Sequence, residues 1–356
     1  MTTLHSTAPA ATRPESSSAP AFAVISGAQV QQVLRDREHQ IVELVEATYR
    51  LHAAGDSVNP PSYFLRFGDR PSARIIALPA SIGGGVQVDG LKWISSFPEN
   101  VAAGIPRASG VLILNDRDTG YPLACMEASV ISATRTAALA ASAADWLSRG
   151  RRRPTRVGFF GVGLIARYVH TFLAATGWSF GEVGVHDLSA DSSAGFRAYL
   201  ERAATPGRFT VHEDAEQLIR SSDLVIFATV AGRPHVGDPS WFEHNPLALH
   251  VSLRDLAPAV VLASANFVDD VEHCLRAGAS PHLAEQHTGN RDFLDGTLDD
   301  VMAGRVSVPS DRPVVFSPFG LGVLDLAVGK YIYDRLAASG ELHVVGDFFG
   351  ELRRYG

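Results

Sequence analysis

The stretch Val157-Gly158-Phe159-Phe160-Gly161-Val162-Gly163-Leu164-Ile165-Ala166 decides the fold. A strand-like run meets two glycines one residue apart, and Tyr168, Val169, Phe172 and Leu173 then recur at helical spacing. In a strand-turn-helix of this kind the first glycine permits a tight turn and the second lets the backbone approach a pyrophosphate. The small Ala166 allows close helix-strand packing. The opening helix, beginning at Leu164 and Ile165, offers free N–H groups and its positive dipole end to the same pyrophosphate. Asp187 closes the next strand-like run, Glu182 to His186, where an acid accepts from a ribose hydroxyl and repels a 2′-phosphate. NAD is therefore the expected cofactor. Ala228 and Thr229 end the run Leu224 to Thr229 and are expected at the carboxyl edge of the sheet, where such folds bind ligands.

Working outward, Arg156 to Phe160, Glu182 to His186, Leu224 to Thr229 and Leu247 to Ser252 alternate with helical or loop stretches. That alternation predicts an α/β architecture with a Rossmann-type, doubly wound parallel sheet. Upstream the texture differs. Tyr63 to Phe67, Arg74 to Leu78, Gly90 to Ser95 and Gly110 to Leu114 are short, broken by Pro, Gly and Asp, and predict an antiparallel sheet. Apolar spacing predicts one or two helices between Phe22 and His52, a long one over Ala128 to Leu147, and another over Leu321 to Leu336. The run Arg149-Gly150-Arg151-Arg152-Arg153-Pro154 reads as a solvated linker and a domain boundary. Two domains also suit 356 residues, since single cores stop growing near ~250 residues.

The totals exclude several classes. A net charge of −7 with both signs interspersed leaves no basic stripe for nucleic acid. Cys125 and Cys274 are far apart and form no metal-like pair, so a reduced, cytoplasmic protein is expected. No apolar run is long enough to span a bilayer, and the Ser/Thr/Ala/Pro-rich residues 1–22 read as a disordered tail without a signal peptide. There is no Gly-x-Ser-x-Gly elbow, no His-Glu-x-x-His and no Walker loop; His282 and His287 do not share a helix face, so no metal is expected.

Lys92 is one of two lysines among 31 basic residues, and it sits in the apolar segment Gly90-Leu91-Lys92-Trp93-Ile94-Ser95-Ser96-Phe97-Pro98. A buried ammonium must find partners or lose its proton, which marks Lys92 as a site residue. Arg66, Arg74, Arg107 and Arg135 are likewise embedded in apolar stretches. Guanidinium groups hold carboxylates bidentately, so their convergence would suit a small polycarboxylate amino acid.

At this point the residues resemble the ornithine cyclodeaminase and mu-crystallin family. Leu91-Lys92-Trp93, Asp118-Thr119-Gly120-Tyr121-Pro122, Thr134-Arg135-Thr136-Ala137-Ala138 and Gly161-Val162-Gly163 carry the likeness, over about Tyr63 to Asp334. Asn59-Pro60-Pro61-Ser62-Tyr63-Phe64-Leu65-Arg66-Phe67, Lys92-Trp93-Ile94-Ser95-Ser96-Phe97-Pro98 and Ser317-Pro318-Phe319-Gly320-Leu321-Gly322 are similar to one branch. Its members are dehydrogenases that release L-2,3-diaminopropionate from N-(2-amino-2-carboxyethyl)-L-glutamate for siderophore or peptide-antibiotic biosynthesis. The resemblance implies NAD-dependent oxidative hydrolysis yielding 2-oxoglutarate and NADH as well, and a homodimer. It implies a substrate-binding and dimerisation domain from residues 23–150 and 320–356 beside a Rossmann domain of residues 151–319.

The same resemblance implies roles. Arg66 and Arg135 would bind substrate carboxylates, Lys92 the carboxylate next to the reacting carbon as a protonated binder, and Asp255 would activate water. Thr136 and Gly320 would join Gly161, Gly163, Leu164, Ile165, Ala166, Asp187, Ala228 and Thr229 at the cofactor. Ornithine-cleaving members carry a glutamate for the substrate's terminal ammonium where this chain has Ile76, so that ammonium would lose its partner. Ornithine cyclodeamination or ketimine reduction, and a crystallin-like NAD-binding protein without turnover, are the alternatives.

Overall fold

Phe159 and Phe160 face opposite sides of one strand, and both sides are apolar. Phe159 joins a core with Leu224, Ile226, Leu247 and Phe316, whereas Phe160 joins Val225, Phe227, Ala248 and Val315. A strand apolar on both faces belongs inside a sheet covered by helices on each side. The computed structural model, which describes residues 20–350, places it there. Eight parallel strands run in the order Arg208–Val211, Glu182–His186, Arg156–Phe160, Leu224–Phe227, Leu247–His250, Val314–Ser317, Ala265–Val268 and Leu294–Thr297. The doubly wound parallel sheet expected from the sequence is present. The chain proceeds first to one side of Arg156–Phe160 and then to the other, so a crevice opens at its carboxyl end. Four of the eight strands, 208–211, 265–268, 294–297 and 314–317, were not read from the sequence; each has only four residues, as do Leu224–Phe227 and Leu247–His250, whose apolar runs stood out.

The other sheet runs His343–Val345, Phe22–Ile25, Pro122–Glu127, Ala108–Asn115, Val88–Ser96, Arg74–Ile82 and Ser57–Val58, with Tyr63–Arg66 also pairing to Arg74–Ile82. Every pairing is antiparallel except that of Phe22–Ile25 with Pro122–Glu127. The segment read as purely helical thus begins with a strand. Ser26 and Gln29 then form a reciprocal capping box that starts helix Gly27–Leu34, and helix Glu38–Ala53 follows. Of the tail expected over residues 1–22, residues 1–19 lie outside the described residues, while Phe22 is already a buried strand residue.

Helix Ser129–Ser148 joins the two sheets. It is buried almost all round and packs on helices Leu164–Ala175 and Glu38–Ala53, which its many alanines permit by letting backbones approach. Helix Gly322–Ser339, reached from the last buried strand of the parallel sheet, packs on Arg74–Ile82 and Val88–Ser96 of the other sheet. Gly329 lets it approach the neighbouring strand Ala108–Asn115 as well, since a Cβ there would lie 2.2 Å from Leu112 Cδ2. The arginine run differs from its expectation. Arg151 donates to the carbonyls of Asn245 (2.6 Å), Pro309 and Arg312, while Arg149 and Arg153 lie over Trp146 and Trp178. The run is a tether whose charges find partners. Among the described residues no helix is long and apolar enough to cross a membrane.

Candidate active site

Gly161 adopts φ +74°, and a Cβ there would sit 2.9 Å from the Ala228 carbonyl oxygen. Both facts require glycine, and together they bring the turn after Arg156–Phe160 against Ala228 and Thr229. Gly163 differs: nothing lies within 4 Å of its would-be Cβ, and no side chain caps the helix it opens. The first N–H groups of Leu164–Ala175 therefore face open space, as a bound pyrophosphate needs. Ala166 is fully buried beneath them. Asp187 fixes the turn by accepting from Val162 N at 2.9 Å, and its other oxygen accepts from Ser189 N at 2.8 Å. These residues fit a dinucleotide.

A second cluster lies between helix Ser129–Ser148, strand Val88–Ser96 and helix Gly322–Ser339. Lys92 is 2% exposed, and its Nζ donates to Asp325 Oδ2 at 2.6 Å and Ser132 Oγ at 3.3 Å. Arg135 Nε donates to Asp325 Oδ1 at 3.3 Å. One fully buried carboxylate thus bridges two buried cations. Burial pulls the Lys92 ammonium down to about 8; Asp325 resists that shift and Arg135 adds to it. Gly320, at φ +94°, makes room for the Arg135 guanidinium, because a Cβ there would lie 2.5 Å from its NH1. Asp269 holds this bend by accepting from Phe319 N and Gly320 N at 3.0 and 2.7 Å. Gly320 therefore touches the Arg135 cluster, and Thr136 on the same helix donates its hydroxyl to Ser132 O.

Asp255 anchors a third group. It is fully buried, and its oxygens accept from Thr229 Oγ1, His235 Nε2 (3.0 Å), His250 Nε2 (3.1 Å) and Ser252 Oγ. Burial pushes its carboxyl up, but the hydrogen bonds from His235, His250 and Ser252 outweigh it and hold the group well below the usual carboxylate range. Four side chains thus surround the two carboxylate oxygens. His235, 36% exposed, is the member of the group that reaches solvent.

Arg66 and Arg74 lie with Lys92 along one face of the antiparallel sheet. Arg66 is paired in register with Arg74, Phe64 with Ile76, Ile76 with Ile94, and Leu78 with Lys92, so these side chains share a face. Arg66 is exposed and lies over the Phe64 ring, 5.0 Å from its centroid.

Comparison with known proteins bears on this arrangement. The sequence model of the ornithine cyclodeaminase/mu-crystallin family matches residues 23–340. The chain belongs to this family. The N-((2S)-2-amino-2-carboxyethyl)-L-glutamate dehydrogenase of Staphylococcus aureus is 27% identical over 319 residues, covering 87% of this chain and 94% of that protein. Among solved structures, an archaeal alanine dehydrogenase dimer with bound NAD is 25% identical with a TM-score of 0.80, covering 92% of this chain and 100% of that one. The Thermococcus litoralis Delta(1)-pyrroline-2-carboxylate reductase, solved with NADH and L-proline, shares the fold at a TM-score of 0.82 and 22% identity, covering 90% and 99%.

For a member of this family, two features of the site went unread in the sequence. Asp325 is the one acid in the apolar first half of its helix, residues 322–329, and that isolation was its only signal. His235 carries no local signal, since its partner Asp255 is twenty residues away. Ile76 lies between Phe64 and Ile94, a wholly apolar stretch of the face that carries Lys92.

Proposed function

We propose that the protein is an NAD-dependent dehydrogenase acting on a C–N bond, and that its substrate is N-(2-amino-2-carboxyethyl)-L-glutamate. The observation that carries this reading is Ile76. The middle of the substrate face is apolar and its outer end is cationic, which disfavours a ligand ending in an ammonium and favours one ending in a carboxylate. The similarity to the Staphylococcus aureus dehydrogenase points the same way.

NAD would rest on the turn Gly161 to Ala166, with Asp187 near its adenosine ribose and Thr136, Ala228 and Thr229 lining the crevice. When bound, it accepts the hydride from the α-carbon of the glutamyl part, leaving a substrate imine for water to hydrolyse to 2-oxoglutarate and L-2,3-diaminopropionate. Lys92 and Arg135 hold the carboxylate beside the reacting carbon; Asp325 fixes both cations before substrate arrives, so little ordering remains to be done on binding. Arg66 takes a further carboxylate. His235 exchanges protons with the attacking water, and Asp255 keeps its ring oriented. Incubation with NAD and the proposed substrate yields NADH, 2-oxoglutarate and diaminopropionate in equal amounts, while ornithine yields no proline. Absence of NADH with verified substrate overturns the assignment.

The protein acts as a homodimer in this reading. Support comes from the opposite face of the antiparallel sheet, where Tyr63, Leu65, Trp93 and Val111 remain 69%, 46%, 39% and 37% exposed, with Trp93 directly opposite Val111. A contiguous apolar sheet face on a monomer marks an association surface. Trp93→Glu combined with Val111→Glu converts the dimer to a monomer in light scattering; an unchanged mass would place the interface elsewhere.

A further inference from the structure

Among the described residues Arg74 has no hydrogen-bond partner and no carboxylate pairs with it, and one of its two cross-strand neighbours is another cation. Arg66 stands directly opposite it on one side. On the other side stands Ser96, whose hydroxyl accepts from Arg107 NH1 at 2.7 Å. Arg254, from the loop after Leu247–His250 of the parallel sheet, is near enough for its charge to act on Arg74; it donates to the Ala277 carbonyl at 2.8 Å, while its buried Nε has no partner among the described residues. Among the described residues none of Arg66, Arg74, Arg107 and Arg254 forms an ion pair, although Arg74, Arg107 and Arg254 are partly buried. Burial and the charges of Arg107, Arg254 and Arg66 pull the Arg74 guanidinium below its ordinary value. Like charges placed opposite one another across strands destabilise a sheet, and desolvated cations without counterions destabilise a fold. Such a group persists where a ligand supplies the anions.

We propose that Arg74, Arg107 and Arg254 form a second anion subsite that binds the distal carboxylate of a dicarboxylate or tricarboxylate ligand. The inference rests on the substrate reading above and extends it from the reacting end to the far end. Ser96 is four residues beyond Lys92 on the same face of one strand, about 13 Å along it. Lys92 and Arg135 mark one pole, Arg74 and Arg107 the other, and Ile76 and Ile94 line the space between. A ligand charged at both ends fills both poles; alanine or proline fills one. Arg254 comes from the opposite sheet and directly precedes Asp255, so a distal carboxylate held by all three arginines ties the substrate face to the Asp255–His235 group. The subsite thereby selects for length and charge, and it orients the reacting carbon.

Glutarate and butyrate differ by one carboxylate and need no turnover, so calorimetric titration of the full-length protein with each, with and without NADH, tests the subsite apart from the activity. Wild-type protein binds glutarate more tightly than butyrate. Arg74→Gln, Arg107→Gln and Arg254→Gln each weaken glutarate roughly tenfold or more while leaving butyrate within about twofold, as expected for losing a hydrogen bond to a charged group. Equal weakening of both ligands, or no preference in the wild type, overturns the subsite. Arg74→Gln also leaves the unliganded melting temperature unchanged or raises it, because it relieves repulsion; a large fall would make the guanidinium structural and overturn the proposal. Failure of NADH formation with glutarate selectivity intact would instead refute only the substrate assignment.

Discussion

Lys92→Met abolishes most turnover while leaving NAD binding unchanged. Methionine fills much of the space of the lysine stem, so the packing between Val88–Ser96 and Ser129–Ser148 persists. What is lost is the ammonium that faces Asp325 at 2.6 Å in a site 2% exposed. Removing one partner of a buried, hydrogen-bonded charge pair costs about 2–5 kcal/mol, so kcat/KM falls roughly thirtyfold to several thousandfold. The pH dependence gives the sharper check. Lys92 is held at about 8 against an ordinary value of 10.5. Below about 8 the ammonium is present and binds carboxylate; as pH rises through 8 it is lost, and kcat/KM of the wild type falls with it. Stability moves the other way. Between 8 and 10.5 the unfolded chain binds more protons at this residue than the folded one, so the Lys92 contribution to folding becomes more favourable as pH rises. In Lys92→Met the alkaline limb of the activity profile near 8 disappears from the residual rate. A limb that survives belongs to another group and removes Lys92 from substrate binding.

The parts of this molecule that could be read in its sequence are those whose causes are local. Gly161, Gly163 and Ala166 lie within six residues, and the turn they specify takes one distant side chain, Asp187, itself at the end of the next strand. Lys92 and Arg135 were legible because charge amid apolar residues is anomalous wherever the chain goes. Their shared carboxylate was not, since Asp325 is 233 residues from Lys92 in sequence. Asp255 could be placed by resemblance, but its sealing by Thr229, His235, His250 and Ser252 depends on three separate segments meeting at the carboxyl edge of the parallel sheet. The short strands Ala265–Val268 and Leu294–Thr297 were illegible for a different reason. Asn266, Asp295 and Gly296 break the apolar run that made the equally short Leu224–Phe227 stand out, and a register shift between Asn266 and Phe267 interrupts their pairing.

Asp325→Ala is the substitution with the largest expected effect on stability. It leaves Lys92 and Arg135 buried, close together and without a counterion, and breaking a buried pair in this way costs about 3–5 kcal/mol. The ammonium has an escape that the guanidinium lacks. Asp325 is the group that raises the Lys92 pKa, so its removal drives that pKa further below 8 and the lysine sheds its proton nearer neutrality. The variant is therefore least stable relative to wild type at acidic pH, where the ammonium must stay charged, and recovers part of the difference as pH rises. It is inactive at both ends, since the protonated form is mispositioned and the neutral form binds carboxylate poorly. The double variant Lys92→Met with Asp325→Ala separates charge from packing. With the ammonium gone, removal of Asp325 costs less than it does alone, and urea titrations of the four proteins show a coupling of about 1–3 kcal/mol. Strictly additive losses would mean that Asp325 serves only helix packing, and the preorganised cation pair would then have no physical basis.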